Sequence, residues 1–161
     1  MTDLAAVWHF TRARLDATLQ GLTDDDMEYR PFTGAHTVFE IVFHVCGAEH
    51  YWASRMGVNQ LHDIELATLL EQSVFEGFLR HGNPPFGPIW RHRLPMEDVM
   101  RQTFALIRPI MENPTPHQLD MPLVSPIGDS ITGRQGLTRL AQHAGYHTGQ
   151  IQMIRTIFGK G

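Results

Sequence analysis

The spacing of apolar residues between Thr132 and Phe158 constrains this chain more than any other feature. Leu137, Leu140, Ala144, His147, Ile151, Ile154 and Phe158 recur every three or four positions, so they share one face of an α-helix. Thr132-Gly133-Arg134-Gln135 fits a capping box, in which the Thr hydroxyl and the Gln side chain reciprocally satisfy orphan amides. Gly159 supplies the stop.

Four more segments follow the same period. Residues 2–20 read as a helix through Leu4, Val7, Trp8, Thr11, Leu15 and Leu19, capped by Thr2 or Asp3 and ended by Gly21. A second helix is predicted over 37–56, with Ile41, His44, Val45, Ala48, Tyr51, Trp52 and Arg55 facing inward. A third spans 63–80, capped by Asp63, with Ile64, Ala67, Leu70, Val74, Phe75 and Phe78 buried. A fourth covers 96–112 through Val99, Phe104, Ile107 and Ile110, and Pro109 predicts a kink or early stop near its end.

The connections carry turn chemistry. Residues 21–36 hold Asp24-Asp25-Asp26, Pro31 and Gly34, and residues 82–95 form a long Pro/Gly-rich loop of the kind that often has a function. Four prolines exclude a regular helix over 113–132, where LDMPLV and DSIT read as two short extended pieces around a turn. The expected fold is all-α: an antiparallel four-helix bundle with an extra short helix or irregular crossover connection, residues 1–161 forming one domain.

Bulk properties narrow the function. A net charge of −4 with a single lysine, Lys160, argues against nucleic acid as a partner, since phosphate binding leaves a basic patch. One cysteine, Cys46, excludes an internal disulfide framework and suits a reducing cytoplasm. No signal-like start and no apolar run of roughly 20 residues is present, so the expectation is a cytoplasmic protein without membrane spans.

The unusual count is ten histidines. His143-Ala-Gly-Tyr-His147 places two imidazoles about 40° apart on one helix face, a spacing that lets both reach one metal ion. His147 falls in the centre of the apolar stripe and His143 on its edge. An HxxxH pair alone is also common as a solvated or hydrogen-bonded pair, and no Glu follows the first His as in zinc proteases. His44 adds weight: it lies on the inward stripe of the second helix, and three buried imidazoles without a partner would each carry a desolvation penalty. A shared divalent metal removes it.

Other candidates surround these three. Cys46 lies about 200° from His44 around the helix, which makes it a poor fourth ligand. Tyr51, two turns after His44, is a candidate catalytic hydroxyl or a packing residue bonded to another element. Glu40, one turn before His44, is a candidate base or solvated edge residue, and Gln150 is a candidate to orient a bound group or a plain surface amide. His9, His36, His50, His62, His81, His92 and His117 show no paired geometry. Trp90-Arg91-His92-Arg93 is either an anion-binding lip or a solvated loop with one anchoring Trp.

Two stretches resemble the DinB family of DinB/YfiT-like metalloenzymes. One is LTRLAQHAGYHTGQIQMIR, with His143-x3-His147-x-Gly149-Gln150-Ile151 and Arg155 behind the Thr132 opening. The other is VFEIVFHVCGAEHYW, where His44 takes the place of the family's first histidine. The resemblance implies a four-helix bundle with one long crossover and a homodimer. It implies three histidine ligands to one divalent metal, zinc being the first expectation and nickel, iron and manganese the others. Thiol-dependent transferases and isomerases occur among such proteins. DNA binding is not implied.

Two function classes follow. Three neutral imidazoles leave a +2 ion uncompensated, which suits a metal-dependent hydrolase or a thiol-dependent S-transferase acting on a small molecule; the transferase reading expects a low-molecular-weight thiol held by Arg91 or Arg93. The alternative is a non-catalytic metal-binding module for stress response or interaction, which a closed site would favour. Gly145, inside the HxxxH turn, reads as a point of close helix approach or a tolerated helix weakener.

Overall fold

A computed structural model describes residues 2–57, 61–77 and 95–159. Its helices are α1 (Asp3–Leu19), α2 (Asp24–Glu28), α3 (Val38–Arg55), α4 (Ile64–Gln72), α5 (Met96–Glu112), α6 (Pro116–Asp120) and α7 (Gly133–Phe158). A π-helical turn, Ser73–Gly77, continues α4. The strands β1 (Pro122–Val124) and β2 (Ser130–Thr132) pair antiparallel, with Leu123 opposite Ile131. The fold is an all-α helical bundle with this small hairpin attached.

Four long helices form the bundle, and side-chain rungs give their directions. Thr11 donates to the Ala141 carbonyl and Arg155 donates to the Thr18 carbonyl, so α1 and α7 run parallel. Arg12 reaches the Met100 carbonyl while His9 meets Glu112, so α1 and α5 run antiparallel. His44 faces His143 while Trp52 packs on Gly136, so α3 and α7 are antiparallel. The connection between α3 and α5, which carries α4, is therefore a crossover.

Local chemistry explains the element ends. Thr23, Thr37, Thr115 and Thr132 each close a capping box with the residue three positions on: Asp26, Glu40, Gln118 and Gln135. Gly21, Gly57 and Gly159 take positive φ after α1, α3 and α7. Gly145 does mark a close approach: a Cβ there would stand 3.0 Å from the Thr11 methyl.

Several expectations shift. The 21–36 turn contains α2, and 113–132 contains α6 before the hairpin. α5 runs through Pro109 to Glu112, since a proline this close to the end forfeits little of the ladder. Val7 (48% exposed), Ile64 (79%) and Phe75 (38%) are not core residues. Ile64 is the first residue of α4, and Phe75 lies inside the π turn, where the helical register changes. Phe78 and residues 82–94 of the predicted loop, with Arg91 and Arg93, lie outside the described residues. No helix among the described residues is long and apolar enough to cross a membrane.

Candidate metal centre

The antiparallel packing of α3 against α7 brings His44 to the HxxxH pair. Nε2 of His143 lies 3.2 Å from Nε2 of His44 and 3.1 Å from Nε2 of His147. His44 and His147 are buried, and His143 is half-buried at the edge of the stripe. This is the one group of three or more His, Cys, Asp or Glu side chains among the described residues with ligand atoms close enough to share an ion.

Hydrogen bonds behind two of the rings set their tautomers. His44 donates from Nδ1 to the Ser73 carbonyl at 3.1 Å, and His147 donates from Nδ1 to Oε1 of Gln150 at 2.7 Å. Each therefore presents an Nε2 lone pair to the centre. His143 has at most one Nε2 hydrogen to give and two lone pairs facing it, so one close nitrogen pair stays unsatisfied in any neutral arrangement. Its Nδ1 is buried without a hydrogen-bond partner among the described residues.

A divalent cation resolves that conflict. Imidazole nitrogens about 2.0–2.1 Å from a tetrahedral zinc stand about 3.3 Å apart, close to the two spacings seen here. The three rings are also held neutral. Burial pushes His44 well below the usual imidazole range, and His143 and His147 push the same way. Burial, then His147, lowers His143 to about 3. Burial lowers His147 to about 4 against the opposing pull of Gln150. The residues fit a metal site in geometry, tautomer and charge.

The neighbouring candidates separate clearly. Gln150 touches His147, one of the three rings. Tyr51 does not: its hydroxyl donates to the Val124 carbonyl at 2.7 Å, and the Arg55 guanidinium lies 3.8 Å above its ring. Glu40 is fully buried and committed to the start of α3. It accepts from the Thr37 amide at 2.9 Å and from both Arg30 terminal nitrogens at 2.8 and 3.1 Å. Burial pushes its pKa up, but His36, Arg30 and the Thr37 amide outweigh that and hold it below the usual carboxylate range. Cys46 is a core residue whose thiol burial pushes up to about 12, so it offers no thiolate.

Two participants escaped the sequence reading. The Ser73 carbonyl is a backbone atom and leaves no side-chain signal. His36 has a partner after all: its Nδ1 is 3.4 Å from Glu40. The i, i+4 spacing of His36 and Glu40 was the available clue.

The sequence pattern of the DinB superfamily matches residues 8–151, which include all three histidines. The chain belongs to the DinB superfamily. No curated protein matches it. This DinB chain thus joins an all-α helical bundle to a three-histidine group that could hold a metal ion.

Proposed function

We propose that this chain is a divalent-metal-dependent enzyme, a hydrolase or a thiol-dependent S-transferase, with His44, His143 and His147 as its metal ligands. The observation that supports this best is three converging neutral imidazoles with no fourth His, Cys, Asp or Glu in the group among the described residues. Catalytic zinc sites keep three protein ligands and an open position, whereas structural sites are closed. A metal held this way supplies a lowered pKa to a bound water or thiol. Ser73 and Gln150 fix the ligand rings, and burial keeps them unprotonated near neutral pH. The all-nitrogen set favours zinc, with nickel, iron or manganese as the other choices.

The substrate in this reading is a small molecule, and a homodimer is the proposed assembly. Exposed Phe10 (65%) and Tyr146 (61%) support the latter. The test is metal content of the untagged protein and of His44→Ala, His143→Ala and His147→Ala. Stoichiometric metal lost in each variant supports the centre. A wild type that takes up neither zinc nor nickel removes it. Turnover of thiol and ester substrates that disappears on chelation separates the enzyme from a non-catalytic metal-binding module, which would bind metal and turn nothing over.

A further inference from the structure

A cleft of about 350 Å³ lies beside the histidine centre, between the 31–36 turn, the start of α3 and the end of α7. Phe32, Ile41, Met153 and Ile157 supply much of its wall, and among the described residues no Asp, Glu, Lys or Arg lines it. Its polar side chains among the described residues are His36 and Gln150; His44, His143 and His147 do not line it, and Gln150 is its link to them. Both belong to the surroundings of the centre: Gln150 accepts from His147, and His36 acts electrostatically on His44 and His147. The floor is closed by Ile41, one turn before His44 and 3% exposed. The rim is apolar and open to water, with Phe32 67%, Met153 66% and Ile157 56% exposed.

An apolar concavity with a polar end beside a metal centre sorts its ligands by charge. A carboxylate or ammonium placed in it would lose hydration without meeting a countercharge. An aromatic or short alkyl group would lose nothing and would cover the rim. The volume falls in the range of small-molecule pockets, and such pockets join apolar walls to a few placed polar groups. Resting on the metal-centre reading, we propose that this cleft holds the body of the substrate, an uncharged aromatic or short alkyl group whose head reaches the metal. The occupant is a small molecule, which a concavity of this volume can enclose.

The probes are phenylmethanethiol and 2-mercaptoethanol, titrated into the cobalt(II)-loaded full chain and read by the cobalt absorption bands. Phenylmethanethiol is expected to bind at least about tenfold more tightly, from burial of its ring. In protein carrying ¹³C-methyl methionine, it also shifts the Met153 methyl resonance, assigned by its loss in Met153→Leu. Met153→Asp and Ile157→Asp each abolish the preference while cobalt content stays unchanged. Equal affinities, or a preference that survives both substitutions, overturn the proposal. So does a Met153 resonance that responds to protein concentration instead of probe, which would assign the rim to a second copy. Failure to bind cobalt sinks the metal reading alone. In that case phenylmethanol is titrated into the metal-free chain. A saturable Met153 shift lost in Ile157→Asp supports the apolar cleft, and no shift overturns it.

Discussion

Gln150 holds the Nδ1 hydrogen of His147, and that one contact decides which nitrogen of the ring carries the lone pair. Partners of this kind typically change metal affinity 10- to 100-fold when removed, on the order of magnitude known for other sites. Gln150→Leu is therefore expected to weaken metal binding about 10- to 100-fold with helicity unchanged, as read by competition with a chromophoric chelator. Gln150→Glu keeps the acceptor and should keep the affinity. Equal affinities for wild type and Gln150→Leu would remove Gln150 from the centre. His50 poses a different residue-level question. It is 1% exposed, and neither ring nitrogen has a hydrogen-bond partner among the described residues. Burial lowers its pKa, the Glu71 charge opposes that, and Arg55 reinforces it. The unfolded chain takes up this proton near pH 6.5 and the folded chain resists it, so stability is whole above about pH 6.5 and falls below it. The three histidines of the centre add to the same slope in metal-free protein. The urea midpoint of metal-free protein should fall between about pH 7 and pH 5, and less steeply in His50→Leu.

At the level of elements, the centre depends on how closely α4 and its π turn approach α3. A Cβ on Gly47 would stand 2.2 Å from the Ser73 hydroxyl and 2.5 Å from the Leu70 carbonyl oxygen. The same approach delivers the Ser73 carbonyl to His44, one turn before Gly47. π turns are frequent at functional sites, and this one contributes a backbone acceptor. Gly47→Ala is expected to cost about 1–3 kcal/mol in thermal unfolding and to weaken metal binding as well. Adding Ser73→Ala relieves the hydroxyl clash but leaves the Leu70 carbonyl, so recovery should be partial. A Gly47→Ala protein as stable as wild type would show that the two elements can separate freely. Glu40 shows what elements conceal from sequence reading. Its position three after Thr37 spells a capping box, and its position four before His44 suggests a metal neighbour. Both patterns are present in the residues, and only the Arg30 and Thr37 contacts choose the first.

For the whole molecule, the ring of α1, α7, α3 and α5 encloses the ion pair of Arg12 and Glu49. Arg12 is 3% exposed and Glu49 1%, with Nε 3.2 Å from Oε1. Thr103 donates to the other Glu49 oxygen at 2.9 Å, and Arg12 donates to the Met100 carbonyl at 3.2 Å. The pair ties three helices that are distant in sequence. Removing one partner leaves a buried charge uncompensated, so Glu49→Leu should cost about 3–5 kcal/mol in urea unfolding. Arg12→Met combined with Glu49→Leu should return much of that. A double variant no better than Glu49→Leu would mean the pair is not coupled. Arg12 sits between Trp8 and Leu15 in the helical repeat, so its inward direction was legible. Its partner on another helix was not.

The sequence by itself determined five helical segments, the hairpin in the proline-rich stretch, and the inward direction of His44 and His147. These depend on local period, caps and turn residues, which act over a few positions. The HxxxH pair was legible for the same reason, because one helix sets both rings. Tertiary structure decided the rest: that His44 meets that pair, that the Ser73 carbonyl stands behind it, and that Tyr51 and Glu40 are engaged elsewhere. Those facts depend on which helix faces which, in what direction and at what distance. Burial and packing across the bundle set these, and no short run of residues carries them.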